Sequence, residues 1–215
     1  MPGKAKKSVP PEIGRKAAYV MRNRAALLHS TQEVLAVKGQ AATIEDIAEH
    51  AQIAVSTVYK HFKDKDALIS ATILFGFFEW EPWAESFVED SNDPLEKLVF
   101  PMRLFARLHT THPHHAQTLV NYFNVVAQIV PILQTNLTAQ IKELTKAKIL
   151  TIEDPEAAAR NMHAVITYAV IHQVLDPSAK DSDPDASIRV ALSMLGISEA
   201  KARKLTESRL PELKA

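Results

Sequence analysis

Leu27, Leu28, Thr31, Val34 and Leu35 fall at i, i+1, i+4, i+7 and i+8, one face of a 3.6-residue repeat, and predict a long helix over residues 13–37. Gly39 stops it, because a residue without Cβ tolerates the left-handed conformation that follows a helix. Thr43 then stands as an N-cap: its hydroxyl can accept the free amide of Asp46, whose carboxylate can reach back in turn. Ile44, Ile47, Ala48 and Ala51 form the apolar side of a short helix ending near Ala51. A second short helix starts near Val55 and carries Val58 and Phe62 inward, with small Ala48 and Ala51 allowing the pair to approach closely. The stretch over residues 43–65 is therefore a helix-turn-helix, in which the second helix can lie in a DNA major groove while the first crosses the backbone.

Asp64 is placed to cap a further helix over residues 65–79, which carries Leu68, Ile73, Phe75, Phe77 and Phe78 and connects the first region to the rest. Pro82 is expected to break or bend the W-E-P-W-A-E-S-F stretch and to gather Trp80, Trp83 and Phe87 near a helix end. Helices are predicted over residues 94–110, 113–127 and 131–148, each opened by a Pro, the first two with Asp93 and His112 at the cap. Asp154 and Pro155 open a long helix to residue 175 that is apolar on most sides and must be buried on more than one. After a loop over 176–184 comes a helix over 185–195, and residues 198–210 read as a short, amphipathic, basic helix.

Composition agrees with an all-α chain: 215 residues, 47% hydrophobic, with only 5 Gly. The absence of Cys excludes a disulfide framework and thiolate metal sites. No apolar run approaches the ~20 residues that cross a bilayer, and the basic N-terminus lacks the apolar core of a signal peptide. The expected location is the cytoplasm, with no membrane partner. The net charge of zero hides an asymmetry: residues 1–65 carry 11 Lys and Arg against 6 Asp and Glu, and the remainder carries 14 against 19. A basic first third points to a polyanionic partner for that part alone. Three segments are expected: a flexible basic arm (1–12), a three-helix DNA-binding domain (13–68) and a helical effector-binding and dimerisation domain (69–215).

Residues 24–68 resemble the DNA-binding domain of the TetR family of transcriptional regulators. The resemblance rests on the Leu27–Leu28 pair, Gly39, T-x-x-D-I-A from Thr43, T-V-Y-K-H-F from Thr57 and K-D-A-L from Lys65. It implies phosphate contacts from Thr57, Tyr59, His61 and Lys65, whose hydroxyl, imidazole and ammonium groups suit phosphate oxygens, with Thr43 at the same surface. Lys65 also sits in a first helical turn, where free amides and the dipole favour an anion. Thr57 has the alternative of bonding its own helix. Val55, Ser56 and Lys60 are the candidate base readers: Val55 for a thymine methyl, Lys60 for a guanine edge or a phosphate. Two positions depart from the family pattern. Gln52 stands where Gly is common in the turn, and Ala54 offers the second helix no side-chain cap.

The family places an effector pocket in the divergent remainder. Trp80, Trp83, Phe100, Phe105, His109, Tyr122 and Phe123 are the candidates to line one for a small, fairly apolar molecule, beside Met102, while Glu79, Glu81, Glu85, Arg103 and Arg107 are possible charged anchors. His109, His112, His114 and His115 crowd within seven residues. His114 and His115 diverge by about 100° on a helix, and no carboxylate follows at matching spacing, so no metal or cofactor is assigned. The chain has no glycine-rich phosphate loop, nucleophile motif, H-E-x-x-H or evident carboxylate pair, so no enzymatic activity is expected. The helices over about 155–195, with small Ala164, Thr167 and Ala169, are expected to pair with their two-fold copies into a homodimer on a palindromic operator. The function implied is a repressor released from DNA by a small molecule; the alternative is a TetR-like dimer that binds DNA or protein without effector control, such as a chromosome organiser.

Overall fold

The computed structural model describes residues 15–208 and residue 210 and is helical, as expected; the basic arm assigned to residues 1–12 lies outside the described residues. Helix α1 (Arg15–Lys38) buries Leu27, Leu28, Thr31, Val34 and Leu35, and the Thr31 hydroxyl is satisfied by donating to Leu27 O at 2.7 Å. Gly39 takes φ +54 and opens a single 3₁₀ turn, Gly39–Ala41. Helices α2 (Ile44–His50) and α3 (Val55–His61) pack on α1 through Ile44, Ile47, Ala48, Val58 and Phe62.

Helix α4 (Lys65–Ser86) is longer than the sequence predicts, because Pro82 does not end it. The proline leaves the Phe78 carbonyl without its usual donor, and Phe78 is exposed, so water can meet that carbonyl. The same holds for Pro131. It is expected to start a helix, yet it lies inside α8 (Phe123–Leu133), where the residue four before it, Ala127, is exposed. Two expected helices are instead interrupted where no breaker residue stands. The first stops at α5 (Pro94–Phe105) and resumes as the single turn α6 (Leu108–Thr111); Arg107 between them leaves helical geometry with its guanidinium held by Asp185 and Asp181 O. The second stops at α7 (Pro113–Asn121) and turns through 110° into α8. His112 precedes α7 without lending a side-chain cap, whereas Asp93 does cap α5 by accepting from Leu95 N.

Helix α9 (Thr135–Lys146) leads to α10 (Pro155–Leu175), capped by Asp154 as predicted, then α11 (Asp183–Met194) and α12 (Glu199–Glu207). The largest core joins α5, α9, α10, α11 and α12 around Leu98, Ile141, Met162, Ile188 and Leu192. Arg103, which sequence leaves as a possible ligand anchor, is buried in the α5–α11 seam. Its Nε donates to Asp185 Oδ1 at 2.8 Å and its Nη1 to Ser208 O at 2.8 Å. Burial pushes the Asp185 carboxyl up, but hydrogen bonds from Arg103 and Arg107 outweigh it and hold the group below its ordinary value. Among the described residues no single helix is long and apolar enough to cross a membrane.

Candidate DNA interface and ligand cavity

The start of α2 is built by a complete capping box. Asp46 N donates to Thr43 Oγ1 at 3.1 Å, and Thr43 N donates to Asp46 Oδ2 at 2.9 Å. Lys38 Nζ reaches the same carboxylate at 2.6 Å and, with the Thr43 amide, holds it well below the usual carboxylate range. This fixes α2 against the end of α1 and, through the turn, sets the angle of α3. Gln52 carries the left-handed turn at φ 55, so the backbone the family gives to Gly is kept without one. Ala54 indeed makes no side-chain cap.

Thr43 at the start of α2 and Ser56, Tyr59 and Lys60 on α3 are each exposed, and Thr57 and His61 are half-buried. Val55 is placed otherwise than expected: its side chain is half-buried and packs on the α1–α3 core, because the first turn of α3 leans on that core. Lys65 is also partly turned away. Its Nζ donates to Gln40 O at 3.2 Å, across the turn that ends α1, while Asp64 caps α4 by accepting from Ala67 N at 2.8 Å. Two cations not singled out from the pattern flank α3. Lys63 is exposed at its end, and the Arg24 guanidinium lies 5.2 Å from the centre of the Phe62 ring. Only the charge excess of the first third signalled them.

Between α4, α5, α7, α8, α9 and α10 lie two small chambers with free volumes of about 80 and 40 Å³. Phe77, Trp80, Phe105, Leu133 and His163 line both and form the partition. The larger chamber adds Met102, Ile166 and, toward α9, Glu81, Glu85 and Asn136, whose amide donates to both carboxylates at 3.1 and 2.8 Å. The smaller adds Gly76, His115, Thr118 and Leu119. Of the seven aromatic and histidine candidates, Trp80 and Phe105 line this cavity and five do not. Trp83 packs edge-on to Phe87 and His112. Phe100 is buried beside Phe87. His109 bonds Thr110, and Phe123 faces outward. Tyr122 is buried in the α1–α4 core, its hydroxyl donating to Gly39 O. Thr118, Leu133 and His163 were missed. Their only sequence signal is position on the inward stripes of α7, α8 and α10, and no single-helix pattern says which inward position meets a void. Among the described residues no group of three or more His, Asp or Glu side chains is placed to hold a metal ion.

Helix α1 joins the cavity to the helix-turn-helix, with Gln32 in the smaller chamber's lining and the turn after α1 held from the α7–α8 corner. Asn121 Nδ2 donates to Leu35 O at 3.3 Å and Gln40 Nε2 donates to Asn121 O at 3.3 Å, so the α7–α8 corner grips the turn that follows α1. Lys65 holds that turn from the α4 side. His115 fits only because its neighbour on α4 is a glycine: a Cβ on Gly76 would lie 2.6 Å from the imidazole.

Residues 27–72 match the model for bacterial regulatory proteins of the tetR family. The HTH-type transcriptional repressor KstR2 of Mycobacterium tuberculosis is 32% identical over 111 residues, which cover 50% of this chain and 54% of that protein. The match thus spans about half the length of the curated relatives. Solved structures extend the likeness in fold. RolR in complex with resorcinol superposes with a TM-score of 0.75 at 22% identity, covering 92% of this chain and all (100%) of that one. The fatty acid degradation regulator FadR from Bacillus halodurans gives 0.64 at 16% identity, covering 88% of this chain and 97% of that one. Residues 27–72 thus carry a helix-turn-helix of the tetR family type, and the helical body behind it has the fold of these solved regulators.

Proposed function

We propose that the protein is a dimeric transcriptional repressor that leaves its operator when a small, fairly apolar molecule enters the α4–α10 cavity. The observation that carries the DNA-binding part is the capped helix-turn-helix in which Thr43, Ser56, Tyr59 and Lys60 are exposed. In this reading Thr43, Thr57, Tyr59, His61 and Lys65 hold phosphates. Ser56 and Lys60 read base edges, and Val55 contributes at most its outer methyl. For Lys65 to reach a phosphate it must leave Gln40 O, or share its remaining N–H donors.

An exposed apolar strip on α10 and α11, comprising Tyr168, Leu175, Val190 and Met194, supports pairing of those helices with a second copy. The small residues assigned to that contact divide: Ala164 is exposed with the strip, but Thr167 and Ala169 face the subunit's own core. Two recognition helices then enter successive major grooves of a palindromic site about one helical turn apart. For the effector, RolR supplies a precedent of scale, since a protein of this fold holds resorcinol. A ligand that widens the chambers displaces α4 and the α7–α8 corner, and both hold the turn after α1. At a coupling of about 1–3 kcal/mol the loss of operator affinity is roughly 5- to 150-fold. No turnover accompanies binding.

The test is fluorescence anisotropy of the purified chain on palindromic DNA taken from beside its own gene, titrated with salt. Tyr59→Phe and Lys65→Ala are expected to weaken all sequences alike, Lys65→Ala with a shallower salt slope, and Lys60→Ala to change base preference. Failure to bind any such DNA at moderate salt would sink the proposal.

A further inference from the structure

The chamber walls are mostly apolar, yet three of the residues that line them carry a buried polar atom with no hydrogen-bond partner: Trp80 Nε1, Thr118 Oγ1 and His163 Nε2. Trp80 is 6% exposed and Thr118 2%. Native interiors leave few such atoms unpaired, and a ligand that brings the missing partner gains by satisfying them. The other buried unpaired side-chain atoms, such as those of Thr111 and Thr167, line neither chamber. The three that do are complementary in kind. The indole is a donor only, the hydroxyl can donate and accept, and an imidazole nitrogen accepts or donates according to tautomer.

The electrostatics of the walls narrow the choice. No Lys or Arg lines either chamber, and Arg103 and Arg107 are committed to Asp185. Burial keeps His115 and His163 neutral by lowering their pKa values. The charged groups in the lining are Glu81 and Glu85 toward α9, and both already accept from the Asn136 amide. An anion would lie there without a counter-charge and near two carboxylates, an arrangement that buried charge does not tolerate. A cation could be met by the free Oε2 atoms of Glu81 and Glu85, but an ammonium only donates and would leave the donor-only Trp80 N–H unpaired.

We infer that the cavity selects an uncharged, single-ring hydroxylated molecule of the phenol class, its hydroxyl taken up by His163, Thr118 and Trp80. This rests on the cavity being the effector site. The free volumes of about 80 and 40 Å³ suit a single ring once the shared partition gives way, since a void of ~150 Å³ holds benzene.

Four probes of one ring size decide it on the full chain at pH 7.5: phenol, its methyl ether anisole, benzoate and benzylamine, read by quenching of tryptophan fluorescence and by calorimetry. Phenol is expected to bind and anisole to bind roughly 2- to 10-fold more weakly, the worth of one neutral hydrogen bond. Benzoate and benzylamine are expected not to compete. Thr118→Val should weaken phenol by a similar factor and leave anisole unchanged, whereas a purely structural role for Thr118 would weaken both alike. Trp80→Phe repeats the test through the second donor, read by calorimetry, should the valine variant not fold. Benzoate or benzylamine binding at least as well as phenol overturns the inference while leaving the cavity as effector site. Equal phenol and anisole affinities in parent and variants also overturn it. If none of the four binds, the effector-site reading itself fails, and this inference with it.

Discussion

Gly76→Ala is the sharpest test of how α4, α7 and α1 are fitted together. The new Cβ would lie 2.6 Å from Cδ2 and Nε2 of His115 and 3.2 Å from Nε2 of Gln32. Carbon atoms in contact prefer about 3.5–4.0 Å, so the imidazole must retreat by about 1 Å. Its retreat is resisted by His112, whose ring centre is 5.2 Å away. Overpacking of this sort costs about 1–3 kcal/mol. Replacing a mid-helix glycine by alanine contributes about 1 kcal/mol in the other direction. The net expectation is a loss of about 0–2 kcal/mol, or a Tm lower by up to about 8 °C for a chain of this size. The assay is thermal unfolding at fixed protein concentration, in the parent and in a His115→Ala background. With the imidazole gone only the 3.2 Å approach to the flexible Gln32 amide remains and the propensity gain is kept, so Gly76→Ala should there raise Tm by up to about 2–4 °C. A rise in the parent background, or an equal fall in both, would refute the fitted-glycine account.

Gln52→Gly should be neutral or stabilising by up to about 1 kcal/mol, because Gln52 holds φ 55 and glycine removes the left-handed strain while adding unfolded-state entropy; chemical denaturation reads it, and a clear loss would mean that the Gln52 side chain supports the turn. Burial, reinforced by neighbouring His112, His29 and His114, lowers the His115 pKa from 6.5 to about 4. Between those values the unfolded chain binds a proton that the folded chain refuses, so stability should fall as pH drops from about 6.5 toward 4. His115→Gln should flatten that part of a Tm-against-pH curve, and an unchanged slope would assign it to other groups. Asp185→Asn leaves Arg103 and Arg107 in the α5–α11 seam without a counter-charge. It should cost about 3–5 kcal/mol by denaturant titration, and a loss under about 1 kcal/mol would show that water reaches the seam.

Much of the fold was legible because its signals are local. The capping box at Thr43, the Asp64, Asp93 and Asp154 caps, the Gly39 stop and the α1 stripe each depend on residues within one or two turns of one another. Helix interruptions were not legible in the same way. Pro82 looks like a breaker and Pro131 like a helix start, yet both are spanned, since the carbonyls they orphan belong to exposed residues. Arg107 and Tyr122 look helical and are not, because Asp185 holds one and Gly39 O the other. The aromatic count points to the region that holds the chambers but not to the side chains that line them. Trp83, Phe100 and Tyr122 fill other seams, while Thr118 and His163 reach the chambers.

The sequence by itself determined the helical class, the helix-turn-helix and its cap, and the charge that sets the first third apart. These arise from period, capping chemistry and composition, which act over a few residues. The tertiary structure alone decided that Val55 leans on the core, that Lys65 and the α7–α8 corner hold the same turn, and that Gly76 makes room for His115. Each of those depends on which inward-facing side chains from distant helices arrive at one point. The packing of whole helices fixes that meeting, and no pattern within one helix contains it.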